Sequence, residues 1–500
     1  LTMVSLDHWK LFAALVAGAI LPLSFAPFEF FWLAPFCYAA LFRVWGGASP
    51  AHAFRFGFTF GVASFFSGVH WVYISIHDYG EVPIFLSFIL TAGLVVFLAC
   101  YVGLVGWIAA RWFSTIGPWA LLGIFPALWV FLEWCRGWFF SGFGWLSAGY
   151  SQTDSWLMGH APVIGLYGIS WIVLVSAGAM LVLIDATSRQ RIQTLTFIMI
   201  LWGSGLISGN YRWTNPREND LSVALVQGAV NQDLKWRPEQ LAPTLDLYQK
   251  LTERAGGSEL IIWPEAAIPA LYGQVADYLE EIRGKAARQK ATVMLGVLRN
   301  DPEGGTFQNT LVALTDPPLF YVKRHLVPFG EYFPVPEFVR NWMRLTSLPY
   351  TDAVAGSDNQ PPLEIAGERI AITICYEDIF GAEQLRFFDN ASLLVNVSND
   401  AWFGDSIAPH QHLQIARFRA AEVGRYLLRA TNTGVSAIID PRGRVVARSP
   451  QFVPDVLKGS VRGFLGFTPY ARWGNYPVIL GVLFTLLLHF VPTTKFTMRS

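Results

Sequence analysis

The amino-acid sequence predicts two structural parts in one chain, a helical membrane domain and an α/β domain. The 500 residues are 53% hydrophobic and only 14% charged, against about 25% charged residues in average soluble domains. Residues 1–210 hold 14 of the 72 charged residues, about 7%, whereas 20% of the remaining 290 are charged. Long apolar runs fill the first part, and short β-branched runs fill the second.

The overall charge excludes two classes of protein. A disordered chain combines high net charge with few aromatic residues, but this chain is 15% aromatic. A nucleic-acid binder usually carries a basic surface, whereas 36 Lys and Arg here offset 36 Asp and Glu. We therefore expect a folded protein without a nucleic-acid partner.

About eight apolar segments are predicted to span a membrane. A helix needs about 20 mainly apolar residues to cross roughly 30 Å of hydrocarbon, and most of these segments meet or approach that length. Pro22, Pro27 and Pro35 interrupt the first two, which could instead form a short re-entrant hairpin. The segments are 11–26, 30–46, 56–76, 83–110, 118–137, 162–184, 193–209 and 476–491.

The distribution of Lys and Arg predicts which side of the membrane each loop faces. Cytoplasmic loops carry an excess of these residues. With the N-terminus inside, seven crossings before residue 215 place the α/β part outside, and the eighth returns the C-terminus. The outside loops then hold one clear cation, Arg136, beside Glu29, Asp78, Glu81 and Asp154. The inside cations are Lys10, Arg43, Arg55, Arg111, Arg189, Arg191, Lys495 and Arg499.

These patterns predict three regions along the chain. Residues 1–215 form a membrane domain of seven transmembrane helices, and 216–472 form the α/β domain on the outer face. Residues 473–500 form the last transmembrane helix and a cytoplasmic tail. In the middle region, apolar strands alternate with polar helical stretches, which predicts buried sheets covered by helices. Those helical stretches are 242–255, 275–289 and 410–424.

Cys375 is the only cysteine of the α/β region, since Cys37, Cys100 and Cys135 lie in the membrane region. In an outward-facing domain, an unpaired cysteine is either a core residue or a reactive thiol. Cys375 ends the apolar run IAITIC, which predicts a strand-to-helix turn. Such a turn projects a side chain above the sheet edge, near backbone N–H groups that stabilise an oxyanion. The position favours a reactive thiol.

Two further strand ends carry ionisable groups. Glu265 ends the run LIIWPE beside Trp263, so we expect partial desolvation to raise its pKa and suit it to general-base catalysis. Lys323 lies at another strand end, and Glu331 follows it in FGE. A lone Lys or Glu is usually a solvated surface residue, but an acid, an amine and a thiol at strand ends of one domain together predict an active site.

The segments that carry these three groups, in this order, resemble the nitrilase superfamily. Four of the surrounding motifs, set among the apolar segments, resemble its membrane-embedded branch, the apolipoprotein N-acyltransferase family. The resemblance implies a nitrilase-like αββα sandwich attached to a polytopic helical membrane domain. The motifs are HLVPFGEYFP (325–334), ICYED (374–378), VSNDAWFGDS (397–406) and HQHLQIARFRAAE (410–422).

The resemblance also assigns roles to individual residues. It implies that Cys375 is the nucleophile, Glu265 the general base and Lys323 the cation that stabilises the tetrahedral intermediate. Glu331 would be a second carboxylate that orients the lysine or relays a proton. The remaining implied residues are Tyr376, whose N–H would join the oxyanion hole, Glu377 beside it, and the substrate-lining Trp236, Trp402 and Phe403. Packing alone would also account for the aromatic residues.

The function implied by the resemblance is acyl transfer through a thioester on Cys375. The donor would be a phospholipid, and the acceptor the α-amino group of the diacylglyceryl-cysteine that begins an apolipoprotein. The enzyme would work without a cofactor, as a monomer among lipids of the bacterial inner membrane, with its catalytic domain in the periplasm. Two alternatives remain open, a membrane-anchored nitrilase-type amidase that uses water as acceptor, and a transporter with charged groups inside its spans.

Two other features have a structural as well as a functional interpretation. His410 and His412 are two residues apart, without a third ligand at suitable spacing, so we expect a satisfied polar role and no metal site. The aromatic segments 137–159 and 332–356 are candidate lids over the acyl chains. Otherwise the first would be an interfacial aromatic belt, and the second a packed surface loop.

Overall fold

The computed structural model describes residues 3–185, 187–304, 306–332, 353–386, 388 and 390–490. The chain divides into two compact units. The first takes the described residues within Leu1–His70, Ile84–Asn210 and Trp473–Ser500, and the second takes those within Trp71–Pro83 and Tyr211–Arg472. This division follows contacts within the chain and does not test where a membrane would begin or end. The predicted division into membrane and outer regions therefore stays a prediction, with the bounds 1–215, 216–472 and 473–500.

The first unit consists of helices that lie at the predicted apolar segments. The first helix ends just before Pro22, because a proline ring has no N–H to continue the helical hydrogen bonds. Pro35 instead lies in the first turn of the next helix, where such an N–H has no intrahelical partner. The helices are Met3–Ile20, Leu33–Trp45, Pro50–Val69, Ile84–Trp112, Phe125–Arg136, Ala161–Asp185, Ser188–Asn210 and Tyr476–Leu488.

Three helical stretches within the described residues are long and apolar enough to cross a membrane, namely Ile84–Trp112, Trp156–Asp185 and Ser188–Asn210. Pro50–Val69, together with the bent continuation Trp71–His77, would make a fourth. A helix such as Leu33–Trp45 has 13 residues, which is about 20 Å at 1.5 Å per residue and shorter than the hydrocarbon layer. The expectation of about eight transmembrane helices is therefore met only in part.

The surface of the helical unit is strongly apolar. Phe85 is 77% exposed and Ile207 is 75% exposed, and both lie on helices long enough to cross a membrane. Large contiguous apolar patches are rare on soluble proteins and mark contact with lipid or with another protein. The surface and the composition together fit a unit that lies in a membrane.

The aromatic segment 137–159 is mostly packed inside the helical unit. Residues 144–153 are buried, and the Arg136 guanidinium donates a hydrogen bond of 2.7 Å to the carbonyl oxygen of Trp145. Its strongly exposed parts are the tip Trp138–Phe140 and, further along, Asp154 and Trp156. Most of the segment is therefore part of the packed helical unit. The other candidate lid, 332–356, lies mostly outside the described residues.

The second unit is built on two β-sheets. The larger sheet comprises β1 (Asn215–Gln227), β2 (Leu260–Ile262), β3 (Ile268–Leu271), β4 (Thr292–Asn300), β5 (Phe307–Ala313), β6 (Leu319–Val322) and β13 (Asp455–Leu465). The smaller comprises β7 (Leu363–Ile365), β8 (Glu368–Ile374), β9 (Leu393–Ser398), β10 (Leu427–Thr431), β11 (Ala437–Ile439) and β12 (Val445–Arg448). The strand order is β13-β1-β2-β4-β5-β6 in the larger sheet, with β3 paired to β4, and β12-β11-β10-β9-β8-β7 in the smaller one.

The two sheets pack face to face over an apolar core to which both contribute, for example through Ile262 and Ile372. The helices Pro238–Arg254 and Ala276–Arg288 cover the outer face of the larger sheet. The helix Ala408–Val423 covers the outer face of the smaller sheet. The layers are therefore helix, sheet, sheet and helix, which is the αββα sandwich that was expected.

Parallel strands bring the chemical groups of the sequence motifs to common edges. β1, β2 and β4 run parallel in the larger sheet, and β8, β9 and β10 run parallel in the smaller one. The carboxyl ends of parallel strands lie at the same edge of a sheet, where binding sites of α/β proteins usually form. Cys375 follows β8 directly, and Asn399 follows β9 directly.

Candidate active site

Glu265 is buried, with 6% of its surface exposed, and its carboxylate is fully hydrogen-bonded. Oε1 accepts hydrogen bonds from Nδ2 of Asn309 at 2.8 Å and from Nζ of Lys323 at 3.2 Å. Oε2 accepts one from the backbone N–H of Asn399 at 2.8 Å. Three donors from different parts of the chain thus converge on one carboxylate and fix its orientation.

The pKa of Glu265 differs from the expectation. Burial by itself raises the pKa, but the Lys323 charge and the hydrogen bonds from Asn309, Lys323 and Asn399 outweigh burial and hold the pKa below its ordinary value. The prediction of a raised pKa is therefore wrong, because the sequence showed the apolar neighbours and not the donors. Glu265 is a carboxylate at neutral pH.

Lys323 lies between two carboxylates and is 1% exposed. Its Nζ contacts Glu265 at 3.2 Å and Glu331 at 2.9 Å. Burial by itself lowers the pKa of Lys323, but the negative charges of Glu265 and Glu331 raise it well above its ordinary value. Lys323 is therefore a permanent cation, and Glu331, which also accepts a hydrogen bond of 2.8 Å from the N–H of Val327, holds it from the second side.

Cys375 occupies a strained turn directly after β8. Its φ of 52° lies in the left-handed region, which non-glycine residues rarely adopt and which surrounding contacts must enforce. Burial raises the pKa of the thiol well above its ordinary value, and the charge of Glu265 adds to this effect, while Lys323 and a hydrogen bond with Ser398 act in the opposite direction. The resting group is therefore a thiol within the electrostatic field of the Glu265–Lys323 pair.

Glu377 connects the cysteine turn to the lysine segment. Its carboxylate accepts hydrogen bonds from the N–H of Ile374 at 2.7 Å, from the N–H of Arg324 at 2.8 Å and from the hydroxyl of Tyr321 at 2.9 Å. The Glu377 carboxylate therefore connects the backbone just before Cys375 with the backbone just after Lys323.

Tyr376 and the three aromatic residues occupy different environments. The Tyr376 side chain is buried and packs edge-on against Phe380 at 5.2 Å between ring centroids, so only its backbone is suited to bind a reacting oxygen. Trp236 is 47% exposed and Trp402 is 39% exposed, as substrate-contacting residues often are. Phe403 is partly exposed, and its ring also contacts that of Trp71, with 4.8 Å between the ring centroids.

The segment Trp71–Pro83 belongs to the second unit, which also holds the candidate active site. The sequence predicted instead that most of its helix, Trp71–His77, continues the membrane span 56–76. The Ser75 hydroxyl donates a 2.7 Å hydrogen bond to the carbonyl oxygen of Trp402, and the Trp71 indole donates one of 3.1 Å to Gln411. The segment therefore supports the turn that carries Trp402. Its aromatic and polar residues gave no separate signal, because they continue an apolar run.

Two asparagines complete the site and were missed by sequence reasoning. Asn309 donates to both carboxylates, with 2.8 Å to Glu265 and 3.0 Å to Glu331. Its signal was weak, because it is one of two adjacent amide residues at the start of the apolar strand β5. Asn399 lies within the motif VSNDAWFGDS, so its importance could have been recognised there.

Lys235 is a second buried amine near the site and was also missed. It is 1% exposed, and its Nζ has no hydrogen-bond partner among the described residues. Burial lowers its pKa to about 8, and the charge of Glu265 opposes this effect. Removing an unpaired ammonium from water costs free energy, so the buried charge of Lys235 destabilises the folded protein at pH 7.

We expect Lys235→Met to stabilise the protein at pH 7 by about 1 to 3 kcal/mol, because the fall in pKa from 10.5 to about 8 corresponds to about 3 kcal/mol at most. The unfolded chain binds the proton more tightly, so the penalty is complete below pH 8 and disappears towards pH 10.5. Thermal unfolding across this range should show the advantage of the variant shrinking as pH rises. The exposed Lys250→Met is the matched control, and a variant that melts below wild type would contradict the argument.

The sandwich and its strand-end groups define the class of the catalytic domain. Residues 222–468 match the family model described as "Carbon-nitrogen hydrolase". Residues 17–179 match a second model, "Apolipoprotein N-acyltransferase N-terminal domain". The chain thus joins a nitrilase-type catalytic domain to a helical domain that is characteristic of one family.

Whole-chain relatives agree with both matches. A protein from Methylococcus capsulatus named "Apolipoprotein N-acyltransferase" is 45% identical over 93% of this chain and 93% of its own length. Proteins of the same name from Chromobacterium violaceum and Nitrosomonas europaea are 41% and 40% identical, over 96% and 95% of this chain and 93% and 96% of their own. The chain belongs to the apolipoprotein N-acyltransferase family and is an acyltransferase.

Proposed function

We propose that this enzyme transfers a fatty acyl chain from a phospholipid to the α-amino group of an apolipoprotein's N-terminal diacylglyceryl-cysteine, through a thioester on Cys375. The observation that carries the proposal is the strained Cys375 turn facing the Glu265–Lys323–Glu331 ion set. Membership of the apolipoprotein N-acyltransferase family supports an apolipoprotein as the acyl acceptor. The chemistry is a ping-pong reaction, in which the lysophospholipid leaves before the amine reacts.

In the first half-reaction, Cys375 Sγ attacks the ester carbonyl of the phospholipid while Glu265 takes the thiol proton. The low pKa of Glu265 and the high pKa of the thiol make a separate ion pair unfavourable, so proton transfer accompanies formation of the carbon–sulfur bond. When the tetrahedral intermediate collapses, the carbon–oxygen bond of the ester breaks. The leaving glycerol oxygen receives the proton from Glu265, and the acyl group remains on sulfur.

The oxyanion of that intermediate needs donors that are already in place. Lys323 supplies a cation held between Glu265 and Glu331, and the N–H of Tyr376 is the backbone donor next to the nucleophile. A single preorganised donor contributes about 3 to 4 kcal/mol to such steps. Glu331 and Glu377 act through Lys323 and the cysteine turn, respectively, by fixing their positions.

In the second half-reaction, the acceptor amine attacks the thioester carbonyl and Glu265 takes a proton from the nitrogen. The new carbon–nitrogen bond forms an amide, the carbon–sulfur bond breaks, and the proton on Glu265 returns to sulfur. Hydrolysis would waste the acyl group, so water must be excluded while the thioester exists. Trp236, Trp402 and Phe403 would line the acyl chains.

Both substrates carry acyl chains, and these leave a bilayer at a cost of about 0.8 kcal/mol per CH₂. The catalytic domain therefore works at the membrane surface, which suits a bacterial inner-membrane enzyme with eight transmembrane helices and a periplasmic catalytic domain. The bias of Lys and Arg towards the inside loops supports that orientation. The protein would act as a monomer among membrane lipids.

Mass spectrometry of the Cys375 peptide after incubation with a phospholipid of defined acyl chains tests the proposal. We expect an added acyl mass on Cys375, followed by its transfer to a diacylated lipopeptide as an amide. An unmodified Cys375 under conditions in which lysophospholipid accumulates would contradict the nucleophile assignment. Free fatty acid in place of amide product would instead support the alternative, a nitrilase-type amidase or hydrolase.

A further inference from the structure

A closed ring of four charged side chains lies beneath the Cys375 turn. Asp378 and Asp400 alternate with His412 and Arg429, and each of the four side chains is completely buried. His412 contacts Asp378 at 3.1 Å and Asp400 at 3.0 Å, and Arg429 contacts the same two carboxylates at 3.4 and 2.9 Å. Two cations and two anions therefore balance within a site that water does not reach.

His412 must be an imidazolium, because acceptors surround both of its ring nitrogens. Nδ1 faces the Asp400 carboxylate, while Nε2 faces Asp378 and, at 3.3 Å, the carbonyl oxygen of Cys375. A neutral ring would place a lone pair against a negative oxygen. Burial and Arg429 lower the pKa of His412, but the two carboxylates outweigh them and raise it to about 9.

The ring also reaches the sulfur of Cys375. The Ser398 hydroxyl donates a hydrogen bond of 2.7 Å to Asp400, and as a hydrogen-bond partner of the Cys375 side chain it lowers the pKa of the thiol. A hydroxyl has one hydrogen, so while Ser398 donates to Asp400 it offers the thiol a lone pair. When negative charge builds on sulfur, rotation of the hydroxyl can turn its hydrogen towards Sγ, because Asp400 keeps His412 and Arg429 as donors.

We infer that the ring and Ser398 form a positioning device for the nucleophile, in which His412 fixes the backbone of Cys375 and Ser398 fixes its sulfur. This inference rests on the proposed role of Cys375. It explains how a non-glycine residue is held at a φ of 52°. The ring beneath the turn fixes it, because no one side chain of the ring can move without breaking its contacts with two others. Ser398 and His412 are therefore positioning residues for thioester formation.

Two measurements on the full-length protein test the inference. The first is the pH dependence of Cys375 alkylation by iodoacetamide, which needs no lipid. The second is the rate of acyl-thioester formation with a phospholipid. The charged groups that act on the thiol are Glu265, Lys323 and Asp400, and those around His412 are Asp378, Asp400 and Arg429. None of these is altered in Ser398→Ala, so a shift in that variant belongs to the hydroxyl.

We expect Ser398→Ala to raise the midpoint pH of alkylation by about one unit and to leave its high-pH plateau unchanged. Thioester formation should slow about 10- to 100-fold, as loss of a hydrogen bond to a charged group implies, with KM for the phospholipid within twofold of wild type. Ser398→Thr, which keeps the hydroxyl, should restore the alkylation midpoint. A merely structural role for Ser398 would not move that midpoint.

For the ring itself, His412→Gln should slow thioester formation at least tenfold, while His410→Gln, two residues away on the same helix, should match wild type. Unchanged alkylation and acylation in Ser398→Ala would overturn the inference, even if His412→Gln failed to fold. If wild type formed no thioester with phospholipid, the proposed function would fail. The alkylation midpoint would still decide the role of Ser398.

Discussion

Replacing Cys375 with Ala should lower both thioester formation and amide product at least 10³-fold, the largest loss that we expect for a single substitution. Without sulfur there is no atom to carry the acyl group between the two substrates, and the remaining donors only polarise the ester. The protein should still fold, because Cys375 is only half-buried and the turn is held by Glu377 and the ring below it. Release of labelled lysophospholipid and formation of labelled lipopeptide measure the two half-reactions.

Cys375→Ser sharpens this experiment. A serine hydroxyl has a much higher pKa than a thiol, and Glu265, whose pKa is held low, is too weak a base to activate it. We therefore expect Ser to behave almost like Ala, although it is nearly isosteric with Cys. In the matched control, Cys37, Cys100 and Cys135 are all replaced by Ser and Cys375 is retained. This variant should still gain the acyl mass on Cys375. Lipopeptide acylation by Cys375→Ala at a wild-type rate would show that no thioester intermediate is required.

The positions of the chemical groups were predictable because strand ends are visible in a sequence. Cys375 and Glu265 each end an apolar run, and the run itself predicts a buried strand, so the side chain after it must lie at a sheet edge. The order of the motifs then identified the partners. Nothing in this reasoning required knowledge of how the strands are ordered within the sheets.

The electrostatics could not be predicted in the same way, since they depend on contacts between distant residues. Glu265 looked like a desolvated acid because its sequence neighbours are apolar, yet its donors come from Asn309, Lys323 and Asn399. The separations are 44, 58 and 134 residues. No local pattern reports such contacts, and the sign of the pKa shift changed as a result.

The helical unit posed the opposite difficulty. Apolar runs located its helices well, but a run such as 30–46 extends beyond the helix Leu33–Trp45 that forms inside it. Hydrophobicity shows which residues avoid water and does not show where backbone hydrogen bonding ends. The same ambiguity concealed Trp71–His77, whose apolar residues pack on the catalytic unit.

Glu265→Gln should slow thioester formation about 10³-fold at pH 7, because general-base catalysis typically contributes 10²- to 10⁴-fold. The carbamoyl group keeps the shape of the carboxylate but cannot take a proton. It also brings an NH₂ group towards Asn309 and Lys323, which are themselves donors. Acylation of Cys375, followed over time by mass spectrometry, gives the rate. The matched control is Glu259→Gln, because Glu259 directly precedes β2, the strand that Glu265 follows.

The pH dependence separates a general base from a purely electrostatic group. The charge of Glu265 raises the pKa of Cys375, so its removal should lower that pKa and make iodoacetamide alkylation faster at neutral pH. Acylation by phospholipid should nevertheless be slower, and should rise with pH up to the pKa of the thiol, because hydroxide replaces the missing base. Opposite changes in the two reactions identify Glu265 as the base. If both reactions slowed together at every pH, Glu265 would be a structural residue and another group would have to accept the proton.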